Sequence, residues 1–487
     1  MNHSYIYAAV AQPGAGKTQK LLDFLIDAFK STGRLDPTII ALPTLVLIDD
    51  IVRRIKSLGV PFTTIDHRLG DFVVPVLEQA LFSKQDQLVI CTQESIRRIN
   101  PSLLTGWLLV VDELPAVVSY PDYSLPPLEL KRLFDYADER DGQLWITPGM
   151  ERLVREQVAT NHADMVGKAQ STLSKTAAHI FQMLLNKVDV FIDQPQANGN
   201  RHVRAVEEFA EWWRIISSAD EAHVLAANIE GTEFKLFAEV HGFTLKTSKF
   251  QPESIGYTGA VTIYPLTPKG EIFSKQRMLE RHNGQRAIDL VLHTALDHAK
   301  ATWSKTNPLL LANNWAGLQR VNGVQWVDKD CRGLNNYDQH AEAVLLFGGN
   351  PSPSDQKGLD YLLGKYDKDF RSAFLTSRLL EPSLQAVTRT AVRRINNADH
   401  VRLYVQDGRV VDYLLNTYLG HAVVDWSLSD CLPKTIDGRQ IDAATKAEVL
   451  RLVSQGASVS EINRLTKVSR PTINKWKIQA QTQALAA

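Results

Sequence analysis

One stretch near the N-terminus, Ala11 to Thr18, constrains this chain more than any other, and it reads A-Q-P-G-A-G-K-T. A short apolar run (residues 5–10) precedes it, and residues 19–26 carry apolar side chains at helical spacing. A strand, a glycine loop and a helix in this order form the context that a phosphate-binding loop requires. The alternative is a glycine turn that binds nothing.

Each residue of this loop has a chemical role in holding a nucleotide. Gly14, Ala15 and Gly16 let the backbone approach phosphate groups closely, and the helix N-terminus adds N–H donors and a partial positive charge. Lys17 would reach the β- and γ-phosphates, and the Thr18 hydroxyl would bind Mg²⁺. The stretch therefore predicts a nucleotide and magnesium site in which Lys17 is a catalytic residue.

Composition sets the limits within which this site must work. The 487 residues are too many for one core and predict about three domains. Lys+Arg and Asp+Glu both total 54, so overall charge does not indicate a nucleic-acid partner. Cys91, Cys331 and Cys431 are too far apart for a metal-ligand pattern. No secretory signal or membrane-length apolar run is present, so we expect a cytoplasmic protein with no membrane partner.

An acidic pair follows the phosphate loop at the end of an apolar strand. Strands alternate with helices up to this point, which predicts a mostly parallel sheet covered on both faces. Residues 107–111 form the strand, and Asp112 and Glu113 follow it. Asp112 would hold the magnesium shell, while Glu113 would orient and deprotonate a water molecule. The alternative, a surface acidic pair, is less favoured downstream of a phosphate loop.

These segments resemble the motifs of superfamily-one and superfamily-two helicases. The loop is similar to helicase motif I, in which alanine often replaces the first glycine, and D-E-L-P from Asp112 is similar to the D-E-x-x box. Segments 41–44 and 91–94 lie where these helicases have two motifs that contact a nucleic-acid strand. The resemblance implies ATP as the nucleotide, and it implies that Pro43, Thr44 and Thr92 contact a nucleic-acid backbone.

Two segments in the second half continue the resemblance in order. Residues 330–337 are similar to motif V, with its R-G-x-N core. The resemblance implies that Arg332 and Asn335 touch nucleic acid and that Gly333 lies at the nucleotide. The alternative is an ordinary glycine and asparagine loop.

Residues 385–394 are similar to motif VI, Q-x-x-G-R-x-x-R, although no glycine precedes Arg389 and the second arginine comes one place late. The resemblance implies that Gln385, Arg389 and Arg393 act at the γ-phosphate. Either arginine could be the finger that neutralises charge in the transition state. A solvated basic helix is the alternative.

The domain boundaries follow from this order of motifs. We expect a first RecA-like motor domain at residues 1–270, with an inserted region near 121–250, and a second at 271–430. Residues 254–260 resemble motif III, and residues 145–149 are the alternative for that motif. The predicted fold class is α/β, with two RecA-like P-loop domains, mostly parallel sheets and a small all-α domain at the C-terminus.

The small domain, residues 438–487, reads as three short helices. It resembles the helix-turn-helix of DNA invertases and resolvases, in which the third helix enters the major groove. That helix would present Arg470, Thr472, Asn474 and Lys475 to DNA. From Asp437 onward there are eight Lys/Arg and four Asp/Glu. A helical protein–protein module is the alternative.

Taken together, the motifs resemble those of superfamily-two (DEAD/DEAH-like) DNA helicases. They predict an ATP-dependent DNA helicase or translocase acting on single-stranded or duplex DNA with ATP and Mg²⁺. The combination with a DNA-reading tail suggests replication of a phage, plasmid or mobile element, with partner proteins from that machinery. The alternative from another class is an ATP-switched, sequence-specific DNA-binding regulator that unwinds nothing. An RNA-directed helicase is a third hypothesis, which the tail disfavours.

Overall fold

The computed structural model describes residues 4–70, 72–162, 173–253, 256–282, 284–302, 306–318, 321–328, 336–394, 396–433, 443–455, 457–466, 468, 472–474 and 476–477. The chain forms two compact units, residues 1–429 and 430–487. None of the helices in these described ranges is long and apolar enough to cross a membrane.

Helices and strands alternate through the first part of the chain. From residue 4 to residue 112 the elements are β1 (Ser4–Val10), α1 (Lys17–Thr32), β2 (Thr38–Leu42), α2 (Leu45–Leu58), β3 (Thr63–Ile65), α3 (Val73–Ser83), β4 (Leu88–Thr92), α4 (Gln93–Arg97) and β5 (Leu108–Asp112). Residues 118–208 contain β6 (Val118–Ser119), β7 (Asp122–Leu125), α5 (Pro127–Phe134), β8 (Ala137–Arg140), β9 (Gln143–Ile146), α6 (Glu151–His162), α7 (Lys175–Leu185), β10 (Val190–Ile192), β11 (Arg201–Ala205) and β12 (Glu207–Glu208).

The remaining elements complete the first unit and form the second. Residues 211–247 contain α8 (Glu211–Ser218), β13 (Glu221–Ala226), α9 (Glu233–Val240) and β14 (Phe243–Thr247). Residues 261–424 contain β15 (Val261–Pro265), α10 (Lys275–Leu279), β16 (Arg281–His282), β17 (Gln285–Arg286), α11 (Ala287–Ala301), β18 (Leu309–Ala312), β19 (Gln325–Trp326), β20 (Glu342–Leu346), α12 (Pro353–Tyr366), α13 (Phe370–Leu375), α14 (Glu381–Val387), β21 (Val401–Val405), α15 (Gly408–Thr417) and β22 (Val423–Val424). The second unit contains α16 (Ala443–Ser454) and α17 (Val459–Thr466).

The first sheet has seven parallel strands in the order β14-β1-β13-β5-β2-β4-β3. Every residue of β2 and of β5 is buried. Such strands are apolar along their whole length because helices cover both faces of a parallel sheet. The carboxyl ends of β1, β13 and β5 are therefore adjacent at one edge, where ligands bind in α/β proteins.

The second sheet has six parallel strands in the order β19-β18-β20-β21-β15-β22. Its core is separate from the core around the first sheet. One segment between β20 and β21 does not follow this division. Buried side chains of α12 and α13 belong to the core around the first sheet: Leu359, Leu362, Phe370 and Phe374.

An antiparallel sheet, β7-β11-β10-β9-β8, interrupts the first parallel sheet in sequence and has its own core with α5 to α7. The sequence analysis placed an inserted region near residues 121–250. In the structure, β13 and β14 at residues 221–247 instead pair with β1 in the first parallel sheet. The chain thus returns to that sheet well before residue 250.

The second unit, described by itself, has a small apolar core. Its buried side chains come from both helices and from the residues that follow them: Val449, Leu452, Ile462, Val468 and Ile473. Residues 472–474 and 476–477 are helical. A third helical segment therefore packs with α16 and α17 through Ile473.

Candidate active site

The glycine loop between β1 and α1 has the backbone geometry that its sequence requires. Gly14 and Gly16 have φ angles of 86° and 90°, in the left-handed region that favours glycine. Gly16 directly precedes α1, and the Ala15 N–H donates to the Gln12 carbonyl at 3.0 Å. The loop is thus a tight backbone turn that opens onto a helix N-terminus, as anion binding requires.

Lys17 extends from the first turn of α1 back across this loop. Its Nζ donates to the Ala11 carbonyl at 2.5 Å and to the Gln12 carbonyl at 3.2 Å. Burial lowers the pKa of Lys17 to about 8, although the nearby charges of Asp112 and Glu113 act in the opposite direction. The ammonium group is therefore held beside the loop and the acidic pair.

The acidic pair lies at the carboxyl end of β5, next to the loop. The Thr18 hydroxyl donates to Asp112 Oδ2 at 3.4 Å. Burial raises the pKa of Asp112 to about 6, and the charge of Lys17 only partly offsets this effect. Glu113 has a left-handed φ of 67°, and its N–H donates to the Leu225 carbonyl at 2.8 Å. Such a conformation outside glycine is uncommon and concentrates at functional sites.

The raised pKa of Asp112 leads to a prediction about stability. Its ordinary value is 3.8, so between that value and about 6 the folded chain holds a proton that the unfolded chain releases. The charged carboxylate therefore lowers the free energy of unfolding above about pH 6, and this cost is absent below about pH 4. We expect Asp112→Asn to raise the free energy of unfolding by about 2 kcal/mol near neutral pH, while ATP turnover is lost.

Urea denaturation at several pH values measures this effect. Asp23→Asn is the matched control, because Asp23 is an exposed carboxylate on α1 that accepts a hydrogen bond from Gln19 Nε2. We expect the control to show no such pH-dependent gain. An Asp112→Asn variant less stable than wild type near neutral pH would contradict the buried, costly charge.

Three side chains from the second half of the chain lie beside the glycine loop and the acidic pair. Gln385 lies on α14, and Arg389 and Arg393 follow this helix. Arg389 Nη2 donates to Gln385 Oε1 at 3.4 Å. The Arg393 guanidinium lies against the glycine loop, because a Cβ added to Gly14 would be 3.1 Å from Arg393 Nε. Burial and the neighbouring Arg389 charge lower the pKa of Arg393, so an anion between these groups would relieve the repulsion.

A cavity of about 260 Å³ joins these groups. Its lining combines residues near both parallel sheets, and includes Gly14, Gly16, Lys17, Thr18, Asp112, Glu113, Gln385, Arg389 and Arg393. Cationic, carboxylate and hydroxyl groups thus face one open cleft. This arrangement can bind a polyphosphate and direct a water molecule at it.

Other residues of the site were not predicted from the sequence. Gln93 is buried, and its Nε2 donates to the carbonyls of Asp112 (2.9 Å) and Glu113 (3.1 Å), so it holds the backbone of the acidic pair. Arg54 on α2 also lines the cavity. The Tyr257 hydroxyl donates to the Pro13 carbonyl at 2.7 Å. Gln93 could have been found from its place after β4, at the same sheet edge.

The segment after β13 occupies the position between the loop and the acidic pair. β13 pairs with β1 on one side and with β5 on the other. The Ala226 carbonyl accepts from the Ala11 N–H at 3.2 Å, and Ala227 lines the cavity. Residues 254–260, which are predicted to resemble motif III, are a different segment, and that resemblance stays a prediction. Residues 254 and 255 lie outside the described residues, and residues 256–260 lead into β15 of the second sheet.

The residues predicted to contact a nucleic-acid backbone in the first half lie at the same sheet edge. Pro43 and Thr44 follow β2, and Thr92 ends β4. Both threonine hydroxyls cap helices: Thr44 accepts from the Leu47 N–H at 3.3 Å, and Thr92 accepts from the Ser95 N–H at 3.0 Å. Their local role is therefore structural, and nucleic-acid contact stays a prediction.

Several predicted residues cannot be placed in this way. The five that lie outside the described residues are Arg332, Gly333, Asn335, Arg470 and Lys475. Thr472 is half-buried and Asn474 is exposed, and both are helical residues of the second unit. These two residues belong to the second unit, and their contact with DNA stays a prediction.

No protein-family model matches the chain, and no curated protein matches its sequence. Among solved structures, Xpd4 of S. tokodaii is similar at 14% identity and a TM-score of 0.51, over 87% of this chain and 96% of its own. The DUF1998 helicase MrfA bound to DNA and AMPPNP gives a TM-score of 0.33 at 10% identity, over 86% and 49%. The DEAD-box helicase Mss116 bound to ssRNA and UDP-BeF gives 0.32 at 11%, over 97% and 81%.

At their TM-scores, MrfA and Mss116 do not bear on the fold of this chain. The TM-score of 0.51 to Xpd4 supports a shared fold, which a sequence identity of 14% alone would not. Together with the two sheets, it confirms the predicted α/β architecture of mostly parallel strands. The chain is therefore an α/β protein with two parallel sheets and a glycine loop between β1 and α1.

Proposed function

We propose that this chain is an ATP-dependent helicase or translocase that acts on DNA. The observation that carries the proposal is the cavity in which Lys17 and Glu113 meet Arg389 and Arg393. Residues near both sheets line this cavity, so its charged groups come together only when the two sheets are correctly positioned relative to each other. Nucleotide binding and hydrolysis would therefore change how the two sheets are held together, which is the step that a motor must couple to its track.

Within this proposal each side chain has a chemical task. Lys17 holds the β- and γ-phosphates, and Glu113 orients the attacking water and takes up its proton. Arg393, against the loop, and Arg389 stabilise the charge that develops as the γ-phosphoryl group leaves. Gln93 keeps the backbone of the acidic pair in position for this attack.

Thr18 and Asp112 would hold Mg²⁺ together with the phosphate oxygens. Their hydroxyl and carboxylate oxygens are 3.4 Å apart and face the nucleotide cavity, and oxygen donors are what this ion prefers. Within the described residues, no cluster of three or more His, Cys, Asp or Glu could hold a metal ion by itself. Mg²⁺ would supply positive charge to the phosphates, and substrate oxygens would complete its shell.

The choice of DNA as the partner depends on the C-terminal unit. We propose that residues 438–487 are a helix-turn-helix domain, in which Thr472 and Asn474, with Arg470 and Lys475, read the major groove. The excess of basic over acidic residues from Asp437 onward supports a nucleic-acid partner. The same unit would direct the motor to a particular site, as replication of a phage or mobile element requires.

An ATP-switched DNA-binding regulator is the second candidate, and one observation favours it. Leu359 and Leu362 of α12 and Phe370 and Phe374 of α13 are buried in the core around the first sheet, although α12 and α13 follow a strand of the second sheet. This contact restrains the movement of the two sheets relative to each other. A regulator needs only a small switch, whereas a motor needs a repeated cycle.

ATP turnover with and without nucleic acid separates these functions. We expect wild-type turnover to rise with single-stranded DNA and to be accompanied by strand displacement or translocation. Turnover that ignores DNA, together with tight duplex binding by the intact chain, would support the regulator instead. Stimulation by RNA alone would contradict DNA as the partner.

Glu113→Gln tests the proposed chemistry. We expect this variant to lose about a hundredfold in ATP turnover while it still binds a fluorescent ATP analogue, because an amide cannot accept the proton of the water. Glu230→Gln is the matched control, since Glu230 follows β13 at the same sheet edge and is exposed. Turnover that survives in Glu113→Gln would contradict the role of Glu113 as the base.

A further inference from the structure

One tyrosine hydroxyl joins the part of the chain at the first sheet to the part at the second. Tyr413 lies on α15, and its Oη accepts a hydrogen bond from Asn228 Nδ2 at 2.9 Å. The same Oη donates to Glu381 Oε2 at 2.9 Å. A hydroxyl can do both at once because it carries one proton and two lone pairs. Tyr413 is thus a bridge between residues that follow β13 and the start of α14.

The bridge continues into the candidate active site. Glu381 Oε1 accepts from Gln385 Nε2 at 3.1 Å, and Gln385 Oε1 accepts from Arg389 Nη2 at 3.4 Å. Four consecutive hydrogen bonds therefore run from Asn228 to Arg389. Gln385 and Arg389 both line the nucleotide cavity, whereas Asn228, Tyr413 and Glu381 do not line it.

Asn228 is itself held in a defined orientation. Its Oδ1 accepts from the Glu230 N–H at 3.1 Å, and its Nδ2 also donates to the Glu230 carbonyl at 2.9 Å. It follows the strand whose Leu225 carbonyl accepts from the Glu113 N–H. A shift in the backbone at Glu113 would therefore reach Asn228 through the last residues of β13.

Glu381 combines a raised pKa with a hydrogen bond to each of its two carboxylate oxygens. Burial raises its pKa, while the hydrogen bonds from Tyr413 and Gln385 act in the opposite direction. A carboxylate supplies two acceptor oxygens, and here each oxygen has a different donor. The two oxygens are fixed relative to each other in the carboxylate plane, so the carboxylate sets the orientation of Gln385 relative to Tyr413.

We propose that Tyr413 and Glu381 are positioning residues, which align Gln385 and Arg389 with the nucleotide according to the position of the segment after β13. The inference rests on the proposed ATP hydrolysis and adds two residues that none of the sequence motifs contains. Neither residue lines the cavity. Their contribution is to keep the arginine in the geometry that the transition state requires.

Tyr413→Phe tests the inference with little change in packing, because the ring remains and only the bridging hydroxyl is lost. We expect kcat to fall about tenfold, whereas the affinity for a fluorescent ATP analogue stays within about twofold of wild type. The matched control is Tyr404→Phe. Tyr404 lies on β21, and its hydroxyl is hydrogen-bonded to His298 Nδ1 at 2.9 Å, outside the Asn228-to-Arg389 series and away from the cavity. We expect the control to keep kcat within about twofold of wild type.

A double-mutant cycle with Asn228→Ala identifies the connection itself. If Asn228 acts through Tyr413, the double variant should have the kcat of Tyr413→Phe alone rather than the product of the two losses. Independent, multiplicative losses would overturn the inference. So would a Tyr413→Phe variant that binds nucleotide weakly but keeps its kcat, because that result indicates a role in binding or folding.

The outcome for the wild-type chain separates the two proposals. If wild type shows no ATP turnover under any nucleic-acid condition, the proposed function fails and the inference fails with it. If wild type turns over ATP and Tyr413→Phe behaves like Tyr404→Phe, the inference alone is overturned and the proposed ATPase stands.

Discussion

ATP turnover by Lys17→Ala should be lower than that of wild type by about a thousandfold, and nucleotide binding should weaken with it. The ammonium group of Lys17 lies across the glycine loop, at the carbonyls of Ala11 and Gln12. Removing it leaves the negative charges of Asp112 and Glu113 beside the phosphates without this neutralising group. Steady-state turnover and binding of a fluorescent ATP analogue measure the two effects.

Lys20→Ala is the matched control for this variant, because Lys20 lies on the same helix and is exposed. We expect it to resemble wild type in both measurements. The pKa of Lys17 near 8 adds a pH signature: wild-type affinity for ATP should weaken as pH rises above this value, since the ammonium loses its proton. A Lys17→Ala variant with wild-type turnover would exclude the glycine loop as the nucleotide site.

Arg393→Ala should also lower turnover by about a thousandfold, but with a smaller effect on nucleotide binding. The guanidinium of Arg393 packs on Gly14 and faces the same cavity as Lys17. An arginine in this place acts mainly on the charge that develops during phosphoryl transfer. The loss should therefore appear in kcat. Measured beside Arg389→Ala, the variant also ranks the two arginines that the sequence left open.

Arg394→Ala provides the control for Arg393→Ala. Arg394 is the next residue in the chain, but its Nη2 donates to Asn397 at 2.9 Å and pairs with Asp399 at 2.5 Å, and it does not line the cavity. We expect its turnover to stay within about twofold of wild type. Equal losses in Arg393→Ala and Arg394→Ala would contradict a specific role for Arg393 at the phosphates.

Parts of the site could be predicted from short stretches of sequence because their geometry is local. Gly14 and Gly16 adopt positive φ angles that the loop requires, and Lys17 and Thr18 follow directly in the first turn of α1. Asp112 ends an apolar strand of the parallel sheet, so its place at the sheet edge follows from the alternation of strands and helices.

The connection between the two parts of the chain could not be predicted in this way. Asn228 and Tyr413 are 185 residues apart, and neither belongs to a motif with a characteristic spacing. Their contact depends on β13 lying between β1 and β5, and on the direction in which α15 packs. The resemblance of residues 254–260 to motif III rests instead on chain order, because that stretch precedes the predicted second motor domain.

The amino-acid sequence by itself determined the glycine loop before α1, the acidic strand end and the alternation that builds parallel sheets, because each depends on neighbouring residues. The tertiary structure alone decided that β13 returns between β1 and β5 after the antiparallel sheet, and that Leu359 and Phe370 pack in the core around the first sheet. These contacts depend on which buried surfaces pack together between residues that are far apart in the chain. The spacing of residues in the sequence does not indicate that packing.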